Sequence, residues 1–557
     1  MEDFNRRLVL AVDKNDIDAA EKLCESAYQD LLSESASDSE PAPLSFLKSL
    51  RHSVRIDHPN IRELLDRCAL HFCAPVLLSG LGGAACRQHA ENILGVLVEA
   101  GPGRDVFTGI VEGVHLFPSE CWEDSDSRKL GCTILNHLPT ILSRIKRRKQ
   151  AFLGDSLSLA LHLARGLTSS HDNAEVLEQL RIVLLFTRDC PASCGYDSSL
   201  DSLPKETSLT IRAFLVQLLR LYLSKLAARM ACEEMEEHAS EFSEDMLVMI
   251  AQFLHGAGWG WTDFEEVDEL TTAWMQAVDH ANEIETKRAM TISVGFLLWG
   301  CFCSDKLAQA LRLTVDPNQV LNIAVEMCNV ASDDPTVFAG LALVSAVFKT
   351  PEFRREISNG PHTDVISRLL KDLVEHMNGN LNVQLRMVCL STVKSVLEAA
   401  EVSMRWSLYQ ELFACPHPEI AAVLFQDFKS LVVRERQTGS KSRFNSPDVV
   451  GVIRDIVSVD RGGWEGVLHA SDLLAAALNL YRYLIVNLEQ MGNREDELGV
   501  LGGDVVGVIS KRCRYFRECV EEGVKESKSW EGTDCEAWLL GLERLDEVVT
   551  RVQELIE

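Results

Sequence analysis

The residues in this sequence whose spacing most suggests chemistry are glycines. Gly80-Leu81-Gly82-Gly83-Ala84-Ala85 fits G-x-G-x-x-A, follows the apolar run APVLLS and precedes Glu99. In a dinucleotide fold such a loop sets a pyrophosphate on the next helix's N-terminus, and an acid about 20 residues on binds the ribose. That chemistry needs a strand before the glycines and further βαβ units after them. No such series follows, so the hexapeptide reads as a turn between two helices.

Other candidate chemistry is weaker. Structural zinc needs two ligand pairs converging on one ion. Cys301-Phe302-Cys303 is too tightly spaced, Cys190 and Cys194 lack a second pair nearby, and Cys68, His71 and Cys73 share one apolar helix. These read as core thiols. There is no G-x-x-x-x-G-K-[ST], H-E-x-x-H or G-x-S-x-G, and no nucleophile stands out with its base. The sequence therefore points to a protein that is not an enzyme and needs no cofactor or metal.

Two basic clusters remain. Arg144, Lys146, Arg147, Arg148 and Lys149 read as the solvated end of a helix, with nuclear import as the alternative. KRCRYFR at 511–517 places Ser510, Arg514 and Arg517 on one helical face, with Lys511 and Glu518 adjoining. On an acidic protein such a strip is a candidate docking surface. Trp464, Tyr515, Phe516, Trp530 and Trp538 are the aromatic residues near it, and such side chains serve either as interface anchors or as core.

What must position these residues is a helical framework. The chain has 557 residues, enough for three or four domains at ~150 residues each. Hydrophobic residues make up 46% and charged residues 25%, and Gly (33) and Pro (16) are sparse. That composition favours helices over a sandwich or barrel. With 55 basic and 83 acidic residues the net charge is −28, which argues against nucleic acid or an anionic membrane surface as the main ligand. The longest uncharged runs, Ala289–Ser304 and Pro335–Phe348, are too short to span a bilayer and predict buried helices. The opening MEDFNRR does not read as a signal peptide. Seventeen cysteines in so long a chain suit reduced thiols and a cytoplasmic protein, with the basic cluster at 144–149 allowing a nuclear pool.

Periodicity is helical nearly throughout. Trp538, Leu542, Leu545, Val549, Val552 and Ile556 form one stripe, with Glu543, Asp546, Glu547 and Glu554 off it. Leu474, Leu478, Tyr481 and Ile485 form another, for which Ser471 is the expected N-cap. Helix starts are signalled at Asp316-Pro317, Asp334-Pro335, His417-Pro418 and Ser446-Pro447. At about 12 residues per helix and 5 per loop, the chain holds some twenty to twenty-five helices. The expected fold is all-α, an irregular HEAT/armadillo-like helical repeat solenoid without a strict sequence period; a compact multi-bundle protein is the rival.

The acidic, Ser-rich segment Ser33–Pro43 reads as a connector whose Ser35, Ser37 and Ser39 are candidate phosphorylation sites. Gln437–Asn445 is a polar loop. The interruption around 191–207 is the expected boundary between an N-terminal helical domain (1–190) and a C-terminal one (208–557), with the partner-binding part at 317–557.

Three stretches carry a resemblance: RWSLYQELFACPHPEIAAVLFQDFKSLVVRERQ at 405–437, FNSPDVVGVIRDIV at 444–457 and SDLLAAALNLYRYLIVNLE at 471–489. Together, over about Leu385–Asn487, they resemble the glomulin family, which includes the plant aberrant-root-formation proteins and more distant fungal relatives. The segment SVDRGGWEGVLHA lacks prolines expected there, and the linker after Glu489 is compact. The resemblance implies a HEAT-like regulator of cullin–RING ubiquitin ligases. Its C-terminal part would bind the RING subunit and cover the face that recruits the ubiquitin-conjugating enzyme, acting by steric competition. On that expectation the candidate partner-binding residues are Arg482, Lys511, Arg514, Arg517 and Trp530, and the unbound protein is a monomer. A helical scaffold or adaptor of another kind, serving transport or the kinetochore without affecting ubiquitin transfer, is the alternative.

Overall fold

The computed structural model describes most of residues 61–557, with scattered positions before them; the stretches outside it are chiefly 197–202, 231–235, 278–281, 352–362, 492–503 and 528–533. Ser33–Pro43 lies outside the described residues. Among the described residues every regular element is a helix. The chain forms two compact units, Met1–Val315 and Asp316–Glu557.

The first unit opens with α1 (Ile61–Gly80), α2 (Ala84–Ala100), α3 (Gly103–His115) and α4 (Ser125–Arg144). The apolar run APVLLS is helical, inside α1, which ends at Gly80; Leu81–Gly83 is the turn, and Ala84 and Ala85 open α2. Gly83 there has φ 97°, a left-handed conformation that glycine adopts without strain. α1 packs on both α2 and α3. Gly109 and Gly113, one turn apart on α3, permit the second contact. A methyl on Gly109 would lie 2.7 Å from Cys73 Cβ, and one on Gly113 would lie 3.0 Å from Ala74 Cα.

Next come α5 (Lys149–Leu167), α6 (Asn173–Ser193), α7 (Lys205–Met230), α8 (Glu236–Gly256), α9 (Val267–Ala277), α10 (Glu283–Cys303) and α11 (Asp305–Ala310). The uncharged run at 289–304 forms most of α10, where every residue from Ile292 to Cys301 is buried. α7 packs on α5, α6, α9 and α10. The expected boundary at 191–207 therefore falls inside the first unit. Pro191 belongs to the last turn of α6, and α7 beyond it returns to the same core.

A polar hub ties this unit's loops to its helices. Arg128, on α4, is 7% exposed. Its guanidinium donates to both Glu175 carboxylate oxygens at 2.9 Å, and to the carbonyls of Trp122 and Glu123 at 2.8 and 2.9 Å. The Ser170 hydroxyl donates to Glu175 at 2.5 Å. The Trp122 ring, in a 3₁₀ turn at Ser119–Glu123, fills space that side chains at Gly131 and Gly166 would occupy. Burial alone would raise the Glu175 carboxyl. The hydrogen bonds from Arg128 and Ser170, with the Arg128 charge, outweigh it and hold the group below the ordinary glutamate range.

The second unit contains α12 (Pro317–Met327), α13 (Asp334–Lys349), α14 (Thr363–Gly379), α15 (Val383–Ala399), α16 (Val402–Phe413), α17 (Pro418–Thr438), α18 (Asp448–Ser458), α19 (Trp464–His469), α20 (Ser471–Met491), α21 (Asp504–Ser527) and α22 (Asp534–Ile556). Asp316 caps α12 by accepting from the Asn318 amide at 3.1 Å. Pro418 is the first residue of α17, where its missing N–H costs nothing. At Asp334-Pro335 the cap is one residue earlier, since Asp333 accepts from the Thr336 amide. Asp334 instead accepts from Asn380 and Asn382, pinning the α14–α15 turn.

Helices of the second unit pair as α12/α13, α14/α15, α16/α17, α18/α20 and α21/α22, and the pairs stack. One layer runs α12, α14, α16, the 3₁₀ turn Arg443–Asn445, α18, α21; the other runs α13, α15, α17, α20, α22. That is the all-α, HEAT-like stacking of helical repeats. Its centre is an aromatic hub. Phe444 inserts fully buried between α16 and α17, with its ring 5.1 Å from Trp406 and 5.7 Å from Phe428. Tyr409, Phe413 and Phe425 extend the cluster, and Arg443 lies over Trp406 at 5.6 Å.

The two C-terminal stripes are buried over most of their length, while Ile556, at the end of the second, is half-buried. Leu474, Leu478, Tyr481 and Ile485 are buried, as are Leu542, Leu545, Val549 and Val552. The Trp538 side chain lies outside the described residues. Ser471 is not the N-cap of α20 but its first helical residue, buried beside Gly541 of α22. Ala470, which ends α19, occupies the capping position.

Candidate functional site

Helix α21 carries the candidate basic strip, and its apolar face explains its orientation. Ile509, Cys513, Phe516 and Val520 are buried. That stripe leaves Lys511, Arg514 and Glu518 exposed, while Arg517 is half-buried. Arg517 turns toward α22, donating to the Thr550 hydroxyl at 3.0 Å, with Asp546 at 3.7 Å. The strip is thus divided. Lys511 and Arg514 form its outward part, and Arg517 belongs to the α21–α22 contact.

Arg512, absent from the sequence-based candidates, is also structural. It stacks over Tyr515 at 5.5 Å and donates to the Ser458 carbonyl at the C-terminal end of α18, where a cation suits the helix dipole. The Tyr515 hydroxyl accepts from the Gly463 amide at 3.3 Å. It thereby fixes the turn at Gly462 and Gly463, both with positive φ. Trp464 packs against Gly523, and Phe516 is core. Arg482 is half-buried on α20, a helix away from the strip. Trp530 lies outside the described residues. The structure therefore brings Lys511 and Arg514 together on one exposed face and assigns Arg517 a second task.

A further feature went unread in the sequence. Between α14 and α16, closed by the turn after α16, lies a recess of about 360 Å³. Leu370 and Val374 line one half of its floor, Leu408 and Leu412 the other, and Ala414 and Pro416 the end. Lys371, Glu375 and Glu411 stand at the mouth. In the sequence these leucines are indistinguishable from any helical core stripe.

The earlier chemical candidates resolve into structure. No disulfide joins the described cysteines. Cys68, Cys73, Cys190, Cys194 and Cys301 are buried, whereas Cys303 is exposed. Burial pushes the Cys301, Cys389 and Cys513 thiols up to about 12. Among the described residues, no group of three or more His, Cys, Asp or Glu side chains is placed to hold a metal ion. Within the same residues no helix is long and apolar enough to cross a membrane. In the 144–149 cluster, Arg144 donates to the Val98 carbonyl; Arg147 and Arg148 lie outside the described residues.

No protein-family model matches this chain, and no curated protein matches it. Among solved structures it aligns with a circular tandem repeat protein with novel repeat topology and enhanced subunit contact surfaces. That alignment covers 100% of this chain and 95% of the other, at 12% identity and a TM-score of 0.22. It also aligns with a chain from work on a phosphorylation switch controlling the interaction between cadherin and beta-catenin, covering 97% and 100%, at 11% identity and a TM-score of 0.22. Similarity of that degree says nothing further about this chain, whose fold class rests on its own helices and their pairing.

Proposed function

We propose that this chain is a non-enzymatic, glomulin-like regulator that binds the RING subunit of cullin–RING ubiquitin ligases and blocks recruitment of the ubiquitin-conjugating enzyme. The observation that supports this reading is the continuity of the resembling segment. The stretches 405–437, 444–457 and 471–489 supply α16, α17, α18 and α20 of one stacked unit, interrupted by the short α19, and the aromatic hub locks the first two to the turn before α18. A rigid stack of this kind offers an extended surface without moving parts. Against it packs α21, with Lys511 and Arg514 outward beside Glu518. Rim charges of this sort steer encounter and set partner choice more than they add affinity.

The test is calorimetric titration of the full chain with a cullin-bound RING subunit. A saturable one-to-one isotherm, abolished by excess conjugating enzyme, is expected. Lys511→Glu with Arg514→Glu should weaken binding by about tenfold, mainly through the association rate. Arg517→Glu is a poorer probe, because it would set a carboxylate against Asp546 and disturb the α21–α22 contact. Absence of binding by the full chain would remove the RING reading and leave a helical scaffold for another partner.

A further inference from the structure

The recess between α14 and α16 is built as two matching ridges. Leu370 and Val374 are one turn apart on α14, and Leu408 and Leu412 are one turn apart on α16. Each of the four is 3% exposed or less, so they form the floor of the recess, and its accessible sides come from Ala414, Pro416 and the aliphatic stems of Lys371, Glu375 and Glu411. Neighbouring helices of this layer have left a slot where a third helix could lay its own ridge, and such ridges repeat at three or four residues. A volume of about 360 Å³ is at the small end of the ~300–1,000 Å³ of typical ligand sites, sized for a few aliphatic groups.

The mouth has a defined charge. Glu375 stands on the α14 side and Glu411 on the α16 side, both substantially exposed. The one lysine between them, Lys371, pairs across the mouth with Glu411 at 3.3 Å. Glu411 also accepts from the Ser367 hydroxyl, and Glu375 faces His417 at 3.1 Å. Behind the wall, burial raises the Asp372 carboxyl; Glu326 and Glu375 add to this, against Arg368 and His376. Carboxylates therefore frame an apolar floor on both sides.

We propose that this recess receives an amphipathic helix of a partner protein that presents two aliphatic side chains one turn apart, flanked by Lys or Arg. The aliphatic pair fills the slot between the Leu370/Val374 and Leu408/Leu412 ridges, and the flanking cations meet Glu375 and Glu411. An acidic segment of the same pattern is repelled at both walls. The site lies on α14 and α16, apart from the α21 strip, and does not depend on the RING reading.

The probe is a fluorescently labelled synthetic leucine–lysine helix of about four turns, with a leucine–glutamate helix of equal length as control. Full-length protein is titrated and anisotropy followed. Saturable one-to-one binding of the lysine peptide is expected, weaker by at least about tenfold for the glutamate peptide. Ala414→Trp plugs the recess from an exposed position and should weaken binding by about tenfold without changing the melting temperature. Glu375→Lys with Glu411→Lys should act similarly through charge. Unchanged peptide affinity in Ala414→Trp would overturn the proposal, since attachment would then reflect only the overall negative charge. So would the absence of saturable binding. Cullin–RING affinity of Ala414→Trp, read in parallel, should be unaltered; losing that affinity alone bears on the previous reading, not on this one.

Discussion

The two units solve one problem in two ways. Each must fasten a 3₁₀ turn that carries a large aromatic side chain, Trp122 in the first unit and Phe444 in the second. The first unit does it with charge: Arg128 clamps the Trp122 and Glu123 carbonyls and is itself clamped by Glu175. The second does it with rings: Phe444 wedges among Trp406, Tyr409 and Phe428. Charge is directional and fails abruptly, because removing one partner strands the other in the interior. Ring packing is graded, since each lost contact removes only its own share.

The sharpest way to break the comparison is Glu175→Leu. It leaves the buried Arg128 guanidinium without its carboxylate and should cost about 3–5 kcal/mol. Denaturant unfolding should show the loss in the first unit's transition, and a cost below about 1 kcal/mol would mean the clamp is ornamental. Acid offers the same test without mutation. Because the folded-state Glu175 pKa is depressed, its contribution is fully present above the ordinary glutamate value of 4.5 and is lost as pH falls through the lower folded value. Stability of the first unit in wild type should fall over that window, and Glu175→Leu should lack this component.

Gly166→Ala comes next. Its methyl would lie 2.2 Å from the Trp122 ring, and overpacking of this kind costs about 1–3 kcal/mol. Phe444→Leu should cost about 1 kcal/mol, keeping the wedge apolar but losing its ring contacts. Equal losses for Glu175→Leu and Phe444→Leu would erase the distinction between abrupt and graded fastening. The smallest effect belongs to Lys511→Glu with Arg514→Glu, expected to leave the melting curve within about 0.5 kcal/mol, because neither side chain is buried.

The sequence made the helices legible because burial on one face imposes a period. The burial of Leu474–Ile485 and of Leu542–Val552 on their stripes, the proline-marked start at Asp316 and the buried run in α10 all follow from local pattern. Its failures occur where a distant element decides. Pro191 looked like an interruption, yet the last turn of a helix tolerates it, and α7 returns to the same core. Ser471 had the chemistry of a cap, but close packing beside Gly541 uses its small size instead. On the candidate site, the exposure of Lys511 and Arg514 followed from helical geometry. The diversion of Arg517 required knowing that Thr550 and Asp546 face it from α22. The α14–α16 recess had no local signal, because a leucine facing a neighbour and a leucine facing a gap share the same period.

The distribution of thiols makes this protein its own reporter of local opening. Cys68 and Cys73 lie in α1, Cys328 and Cys389 in the first two pairs of the second unit, and Cys513 and Cys519 in α21, all buried. Only a thiolate reacts with an alkylating agent, and burial suppresses it until the surrounding helices part. Cys303, the exposed one among the described cysteines, should label before these, at a rate held down because burial raises its thiol to about 11. Modification of Cys68 and Cys73 should then report the opening of α1, and that of Cys328, Cys389, Cys513 and Cys519 the order in which the second unit comes apart.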